Sequence, residues 1–156
     1  MATKAPYTDL QVRESDNRRE VLDPVRRRWV ALTPEEEVRQ QTIRMLHDRY
    51  GYPLELMQVE GAITVNGLSR RCDIVVYTPM GQPLIIVECK RPDVPITQRV
   101  CDQACRYNTV LQVPLLLLTN SRQQVVAEVD FEHRAIRQLP ELPHYAADAP
   151  TPPATT

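Results

Sequence analysis

Asp73, Glu88 and Lys90 are the residues of this chain whose types and spacing are best suited to chemistry. Asp73 precedes the apolar run Ile74–Tyr77, while Glu88 and Lys90 follow the apolar run Leu84–Val87. A turn signal of proline and glycine separates the two runs, so the segment predicts a β-hairpin. The three charged side chains are then expected together at the open end of that hairpin.

The register of this hairpin follows from the position of its turn. If Thr78 faces Pro83, Asp73 lies directly opposite Glu88, with Cβ atoms roughly 5 Å apart. Lys90 shares the face of Glu88, because side chains alternate along a strand. Two carboxylates this close are unfavourable unless a cation lies between them. The pattern therefore predicts a metal site with an ammonium group beside it.

A simpler interpretation is that these residues only solvate the ends of buried strands, since an Asp followed by Glu-x-Lys is common by chance. Three observations favour a functional role. The apolar Cys89 separates Glu88 from Lys90, so the strand is still packed where the charges lie. The register aligns the carboxylates without adjustment, and the flanking helices supply further polar groups.

Length and charge limit the classes of protein that this chain can represent. Its 156 residues predict one domain, spanning residues 18–145, with a mobile segment at 1–17 and a disordered Ala/Pro/Thr-rich tail at 146–156. The formal net charge of −1 gives no global attraction to polyanions, so nucleic-acid binding requires local basic patches. With no apolar run long enough to span a membrane and no leader, we expect a cytoplasmic protein without membrane contact.

The four cysteines do not have the spacing of a common zinc site. The hairpin register places Cys72 opposite Cys89, on the face away from the acidic pair, and Cys101 lies one helical turn from Cys105. A four-thiolate metal site is conceivable. Reduced thiols that serve as small core residues are the favoured interpretation.

A helix is predicted before the hairpin. Thr33 is a good N-cap, Pro34 suits the first turn, and Glu36 completes a capping-box pattern, so the helix begins there and extends to about Tyr50. Three consecutive glutamates stabilise the positive end of the helix dipole, which is a sufficient structural reason for them. One of the three could also serve the metal site.

The elements after the hairpin complete one sheet. Ile96–Gln112 predicts a second helix, from which Gln103 and Tyr107, four residues apart, project together. Pro114–Thr119 predicts a central strand parallel to its neighbour, and Val125–Val129 predicts a final edge strand. With an extended segment at Leu54–Val65 before the hairpin, the order α, β, β, β, α, β, β predicts an α/β fold with one mixed sheet and a helix on each face.

Two groups of arginines could contact phosphates. The run Arg18–Trp29 contains five arginines and one tryptophan, although a solvated surface explains it equally well. The pair Arg70 and Arg71 precedes Asp73 and could hold a phosphate or pair with an acidic side chain.

Several sequence blocks together resemble a known family. In order along the chain they are DPVRRRWVALTPEEEVRQ, RRCDIVVY, VECKRP, QACRYN and LLLTN. Over about Asp23 to Asp130 the chain resembles the PD-(D/E)XK nuclease superfamily. More closely, it is similar to the N-terminal nuclease domain family of type I restriction enzyme R subunits. The resemblance implies a restriction-endonuclease-like, three-layer α/β/α fold with a central mixed sheet of four to five strands.

The resemblance also implies roles for individual residues. The expected catalytic residues are Asp73, Glu88, Lys90 and, as the helix carboxylate, Glu36. The expected ligands of a Mg²⁺ ion, for which Mn²⁺ is the usual substitute, are Asp73, Glu88 and the backbone carbonyl of Cys89. The residues expected to contact the substrate or brace the site are Gln103, Tyr107 and Arg71. The implied reaction is metal-dependent phosphodiester hydrolysis, with DNA the favoured substrate.

The sequence departs from this pattern in two respects. Cys72 occupies the place of the proline that precedes the Asp in the superfamily, and the chain lacks a phosphate-binding glycine loop. Translocation and sequence specificity are therefore expected to need a motor or specificity partner. Two alternatives remain: a nucleic-acid-binding or motor-docking module with little or no cleavage of its own, and a hydrolase that acts on a different substrate.

Overall fold

The first elements of the structure form a small antiparallel sheet. The computed structural model describes residues 10–146, in which β1 (Val12–Ser15), β2 (Arg18–Asp23) and β3 (Arg28–Ala31) pair in that order. Strand β1 lies inside the segment expected to be mobile, so regular structure begins earlier than the sequence predicts. Residues 1–9 of that segment and residues 147–156 of the predicted disordered tail lie outside the described residues.

The first helix, α1 (Pro34–Arg44), begins where the sequence predicts. Thr33 Oγ1 accepts a hydrogen bond from Glu36 N at 3.1 Å, and Pro34 occupies the first turn. A π-helical turn, Met45–Arg49, continues α1, so the helical segment ends at about the predicted residue. The capping box is only half formed, because the Glu36 carboxylate binds arginine side chains instead of the backbone at Thr33.

The central sheet contains six strands rather than four to five. Its strands are β4 (Met57–Val59), β7 (Ile74–Tyr77), β8 (Pro83–Cys89), β9 (Leu115–Thr119), β10 (Gln124–Asp130) and β11 (Ala135–Leu139). Their spatial order is β11-β10-β9-β8-β7-β4. Strands β8 and β9 are parallel and the other pairs antiparallel, so the sheet is mixed, as predicted. The prediction that β10 is an edge strand is wrong, because β11 pairs with it on the outside.

The central hairpin has the predicted register over most of its length. Ile74 pairs with Val87, and Val76 pairs with Ile85. A bulge after Val76 shifts the pairing, so that Tyr77 rather than Thr78 faces Pro83. The bulge lies at the turn end of the hairpin and leaves the register beside Asp73 and Glu88 unchanged.

A second hairpin, β5 (Ala62–Val65) and β6 (Leu68–Arg71), extends the pair β4–β7 beyond a kink. At the kink Glu60 has φ +55°, its N–H donates to Asp73 O at 2.9 Å, and Cys72 N–H donates to Gly61 O at 2.8 Å. Asp73 therefore lies between two strands, and regular alternation does not continue through it.

The buried side chains form two clusters on opposite faces of the sheet. From β7 and β8, the residues clustered with α1 are Ile74, Val76, Ile85, Val87 and Cys89. Those clustered with α2 (Gln98–Leu111) are Val75 and Ile86, together with Cys72, which precedes β7. One helix thus packs on each face. The prediction that Cys72 and Cys89 are neighbours on one face is wrong, because the kink at Asp73 reverses the side on which Cys72 is buried.

All four cysteines are free thiols. Burial raises the pKa of the Cys72 and Cys89 thiols above the ordinary value. Within residues 10–146, no helix combines the length and the apolar character needed to cross a bilayer.

Candidate active site

Asp73 is held at the kink by contacts with both of its carboxylate oxygens. Oδ2 accepts a hydrogen bond from Cys89 N at 2.8 Å, and Oδ1 accepts one from Arg39 Nη2 at 2.9 Å. The Asp73 carboxylate therefore touches the peptide that joins Glu88 to Cys89. Because that peptide ends β8, the structure brings Asp73 to the end of the strand that carries Glu88 and Lys90.

Glu88 is 9% exposed and forms an ion pair with Arg70 of β6. The guanidinium of Arg70 also lies over the ring of Tyr107, 4.2 Å from its centroid, in a cation–π contact. Glu88, Arg70 and Tyr107 thus connect β8, the β5–β6 hairpin and α2. This contact belongs to Arg70 and not to Arg71, the arginine for which a site role is predicted.

Lys90 follows β8 directly and continues its pairing with β9. Its backbone N–H donates to Thr119 O at 2.8 Å, which fixes the main chain at this point. In the part of the chain that the structure describes, its ammonium group has no hydrogen bond or ion pair, unlike the two carboxylates beside it. Lys90 is therefore a half-buried cation that is available to a ligand.

Glu36 is buried, and its carboxylate binds two arginine side chains. Oε1 binds Arg26 Nη2 at 2.6 Å and Arg39 Nη1 at 3.0 Å. Arg26 in turn binds Asp23 Oδ2 at 2.6 Å, and Gln40 Nε2 donates to the same oxygen at 2.9 Å. These residues form a network of alternating charge that extends from the turn between β2 and β3, through α1, to Asp73.

The network sets the charge state of its members. Burial alone would raise the pKa of Asp23, but hydrogen bonds from Arg26 and Gln40 lower it below the ordinary value. Burial alone would lower the pKa of Arg39, but the hydrogen bond to Asp73 and the charges of Glu36 and Asp73 raise it. Asp23 is therefore ionised and Arg39 protonated at neutral pH.

The three residues expected to contact the substrate lie in two places. Gln103 and Tyr107 line an open cleft of about 450 Å³ beside α2. The other lining residues are Leu68, Arg99, Arg106 and Val110. Arg71 lies elsewhere: its side chain is 72% exposed and pairs with Glu60 at 3.3 Å.

Sequence reasoning missed two of the arginines that bind the carboxylates, Arg26 and Arg39. Arg39 lies three residues after Glu36, a spacing that places two helical side chains on one face and could have indicated the pair. The expectation that Arg70 and Arg71 could pair with acidic side chains is confirmed, but the sequence did not indicate that Glu88 is the partner of Arg70 and Glu60 that of Arg71. Arg26 lies three residues after Asp23, a local spacing that could have indicated that pair, whereas its contact with Glu36 of α1 depends on folding.

The oxygen donors at this place fit a hard cation only if water completes the ligand set. In the described residues, no group of three or more His, Cys, Asp and Glu side chains is gathered in a manner suited to a metal. Mg²⁺, however, usually keeps several waters and binds through one or two carboxylates. Asp73, Glu88 and the Cys89 carbonyl are donors of that type, so the residues are compatible with Mg²⁺ or Mn²⁺.

Comparison with known proteins finds a family and similar solved structures. Residues 34–143 match the family model for the type I restriction enzyme R protein N terminus, a range that contains the expected catalytic, metal-binding and substrate-contact residues but not the basic run Arg18–Trp29. Among solved structures, the chain is similar to a fragment structure assigned to an HsdR subunit of a type I restriction enzyme from Vibrio vulnificus YJ016. That match has 19% identity and a TM-score of 0.46 and covers 65% of this chain but only 22% of the other. No curated protein matches the sequence significantly.

Proposed function

The chain belongs to the type I restriction enzyme R protein N-terminal family, and we propose that it hydrolyses phosphodiester bonds in DNA with the help of a divalent metal ion. The observation that carries this proposal is the hydrogen bond from Cys89 N to Asp73 Oδ2 at 2.8 Å. It joins Asp73 to the strand end that bears Glu88 and Lys90. The mixed sheet with one helix on each face supports the further proposal of a restriction-endonuclease-like, three-layer α/β/α fold.

Each residue of the site has a role in this proposal. Asp73, Glu88 and the Cys89 carbonyl would hold Mg²⁺ or Mn²⁺, which supplies Lewis-acid polarisation of the scissile phosphate and a lowered pKa for a bound water. Lys90 orients the attacking water or stabilises charge that develops on the phosphate, since its ammonium has no partner among the described residues. Gln103 and Tyr107 contact the DNA backbone from the cleft beside α2.

For Glu36 we propose a positioning role in place of the catalytic one that the resemblance implies. Because Arg26 and Arg39 both bind its Oε1, we assign it the positioning of Arg39, which in turn holds Asp73. Glu36 thus acts through Arg39 and Asp73 and not on the substrate.

The partners in this proposal are DNA and other subunits. The matching family describes only the N terminus of the type I restriction enzyme R protein, and the aligned part of this chain covers 22% of the Vibrio vulnificus fragment. A motor or specificity partner would then supply translocation and sequence recognition, while this domain supplies cleavage.

One observation favours a second candidate, a DNA-binding or motor-docking module with little cleavage of its own. The carboxylates of Asp73 and Glu88 are already neutralised by Arg39 and Arg70. A permanent neutralisation of this kind would keep a metal out.

An assay of the pure protein separates the two candidates. Linear, circular, single-stranded and branched DNA are incubated with Mg²⁺, with Mn²⁺ and with a chelator, and the Glu88→Gln variant serves as the matched control. The nuclease proposal expects cleavage that requires the metal and is lost in the variant. The second candidate is favoured if the protein binds DNA but does not cleave it in any of these conditions. This result must hold for the domain alone and for the domain together with an R-subunit motor.

A further inference from the structure

Arg70 is less completely bonded than the other arginine at the site. Its Nη2 pairs with Glu88 and its guanidinium stacks on Tyr107. Its Nη1 is buried, yet it has no hydrogen-bond partner among residues 10–146. An unpartnered buried donor is unfavourable, so Arg70 would gain by moving to a ligand that satisfies more of its five N–H groups.

Arg39 provides the contrast. It is held between two carboxylates, with Glu36 Oε1 at 3.0 Å and Asp73 Oδ1 at 2.9 Å, and only its Nε lacks a partner within the described part of the chain. A guanidinium bound from both sides is fixed in place. Of the two arginines that neutralise the site, Arg70 is therefore the one that can leave its carboxylate partner.

The cleft beside α2 is the place to which the Arg70 side chain can move. Tyr107, on which Arg70 stacks, also lines this cleft together with Arg99 and Arg106. Neither of those two arginines has an ion pair in the described residues, so the cleft has uncompensated positive charge. A phosphodiester oxygen is a ligand that all three guanidinium groups can share, because arginine binds phosphate with two parallel hydrogen bonds.

We propose that Arg70 is an exchangeable internal cation, which occupies Glu88 until a divalent ion binds there and then turns to a DNA phosphate in the cleft beside α2. This inference rests on the proposed function, because it takes Glu88 as a metal ligand. A divalent ion repels the guanidinium from the shared carboxylate. The released Arg70 adds one contact to DNA, so metal and DNA each strengthen the binding of the other by the same factor.

Metal binding can be measured without cleavage. Mn²⁺ is titrated into the protein and the free ion is followed by electron paramagnetic resonance. Arg70→Gln removes the competing cation, and we expect it to bind Mn²⁺ about tenfold more tightly than the parent. Arg71→Gln is the matched control: it removes the same charge from the next residue, which is 72% exposed and pairs with Glu60, so the expected change is within about twofold. If Arg70→Gln does not fold, Arg70→Met retains a long aliphatic stem and replaces it.

DNA binding gives a second measurement of the same exchange. Fluorescence anisotropy of a labelled duplex is recorded with a chelator and with Ca²⁺, a cation that also prefers oxygen ligands. In the parent and in Arg71→Gln, the affinity for DNA should rise when Ca²⁺ is added. In Arg70→Gln that rise should be clearly smaller, because the residue that links the two ligands is gone.

The outcomes distinguish this inference from the proposed function. If Glu88→Gln loses Mn²⁺ while Arg70→Gln binds it like the parent, Glu88 is a metal ligand and the exchange by Arg70 is disproved. The exchange is also disproved if Arg70→Gln and Arg71→Gln tighten Mn²⁺ binding equally, since the effect is then one of general charge. If neither the parent nor Arg70→Gln binds Mn²⁺, the metal site itself is wrong, and both proposals fail.

Discussion

Arg39 joins Glu36 to Asp73, with its Nη1 at 3.0 Å from Glu36 Oε1 and its Nη2 at 2.9 Å from Asp73 Oδ1. The side chains of Arg39 and Glu36 are 10% and 8% exposed, so both charges are largely removed from water. Buried charges of this kind are stable only as pairs, and removing one partner is costly. The contact therefore makes the position of Asp73 depend on α1.

The first prediction tests the positioning role of Glu36. Glu36→Gln leaves Arg26 and Arg39 without their shared carboxylate, and we expect the free energy of unfolding to fall by about 2 kcal/mol in urea titrations. Because Arg26 and Arg39 bind its Oε1 and Gln40 Nε2 lies 3.5 Å from its Oε2, Mn²⁺ affinity should stay within about threefold of the parent, whereas Glu88→Gln should lose at least about tenfold. An equal loss of Mn²⁺ binding in both variants would show that Glu36 is itself a ligand.

The second prediction separates Lys90 from the carboxylates. Lys90→Ala leaves both carboxylates in place, so it should bind Mn²⁺ and DNA nearly as well as the parent but cleave at least about 100-fold more slowly. The matched control is Arg91→Ala, since Arg91 is the next residue, is 57% exposed and pairs with Asp93. Single-turnover cleavage of one labelled duplex compares the three proteins. Cleavage by Lys90→Ala at the parental rate would remove Lys90 from the mechanism.

The third prediction concerns the pH dependence of stability. Hydrogen bonds from Arg26 and Gln40 hold the pKa of Asp23 below its ordinary value of 3.8, despite burial. The ionised form therefore stabilises the fold above pH 3.8, and this contribution is lost as the pH falls through the lower folded-state pKa. Asp23→Asn should be about 2–3 kcal/mol less stable at pH 7, with a difference that shrinks in acid.

Urea unfolding between pH 7 and pH 3 measures this difference. Asp130→Asn is the control, because the pKa of Asp130 is also lowered, by hydrogen bonds from His133, but at an exposed position. Solvent screens that pair, so its loss should change stability little at any pH. A constant difference between the parent and Asp23→Asn across the pH range would show that Asp23 acts through packing alone.

The fourth prediction concerns the end of α2. Gln112 caps the helix with φ +58°, a left-handed conformation that is costly for a residue with a Cβ. Gln112→Gly should therefore raise the free energy of unfolding by about 0.5–1 kcal/mol, the relief of strain being partly offset by greater freedom of the unfolded chain. Arg106→Gly, in the interior of the same helix, should lower it by about 1 kcal/mol. Destabilisation by Gln112→Gly would contradict this explanation of the cap.

Local and periodic features of the sequence were enough to predict much of the fold. The cap at Thr33 depends on residues three positions apart, and the register of Ile74 with Val87 depends on a short turn between two apolar runs. Leu115–Thr119 is apolar on both faces because it is covered by both clusters, which is why it could be recognised as a central parallel strand.

The sequence by itself determined the types of residue at the candidate site and the strands that carry these residues. The tertiary structure alone decided which arginines bind the carboxylates of the site. Arg39 and Asp73 are 34 residues apart in sequence, and no local pattern specifies that contact. Whether Arg70 or Arg71 reaches Glu88 depends on the direction in which the β5–β6 hairpin extends from the central sheet. The kink at Asp73 sets that direction and also places Cys72 and Cys89 on opposite faces. Period-two alternation holds only within an unbroken strand, so a prediction carried across the kink fails for a physical reason.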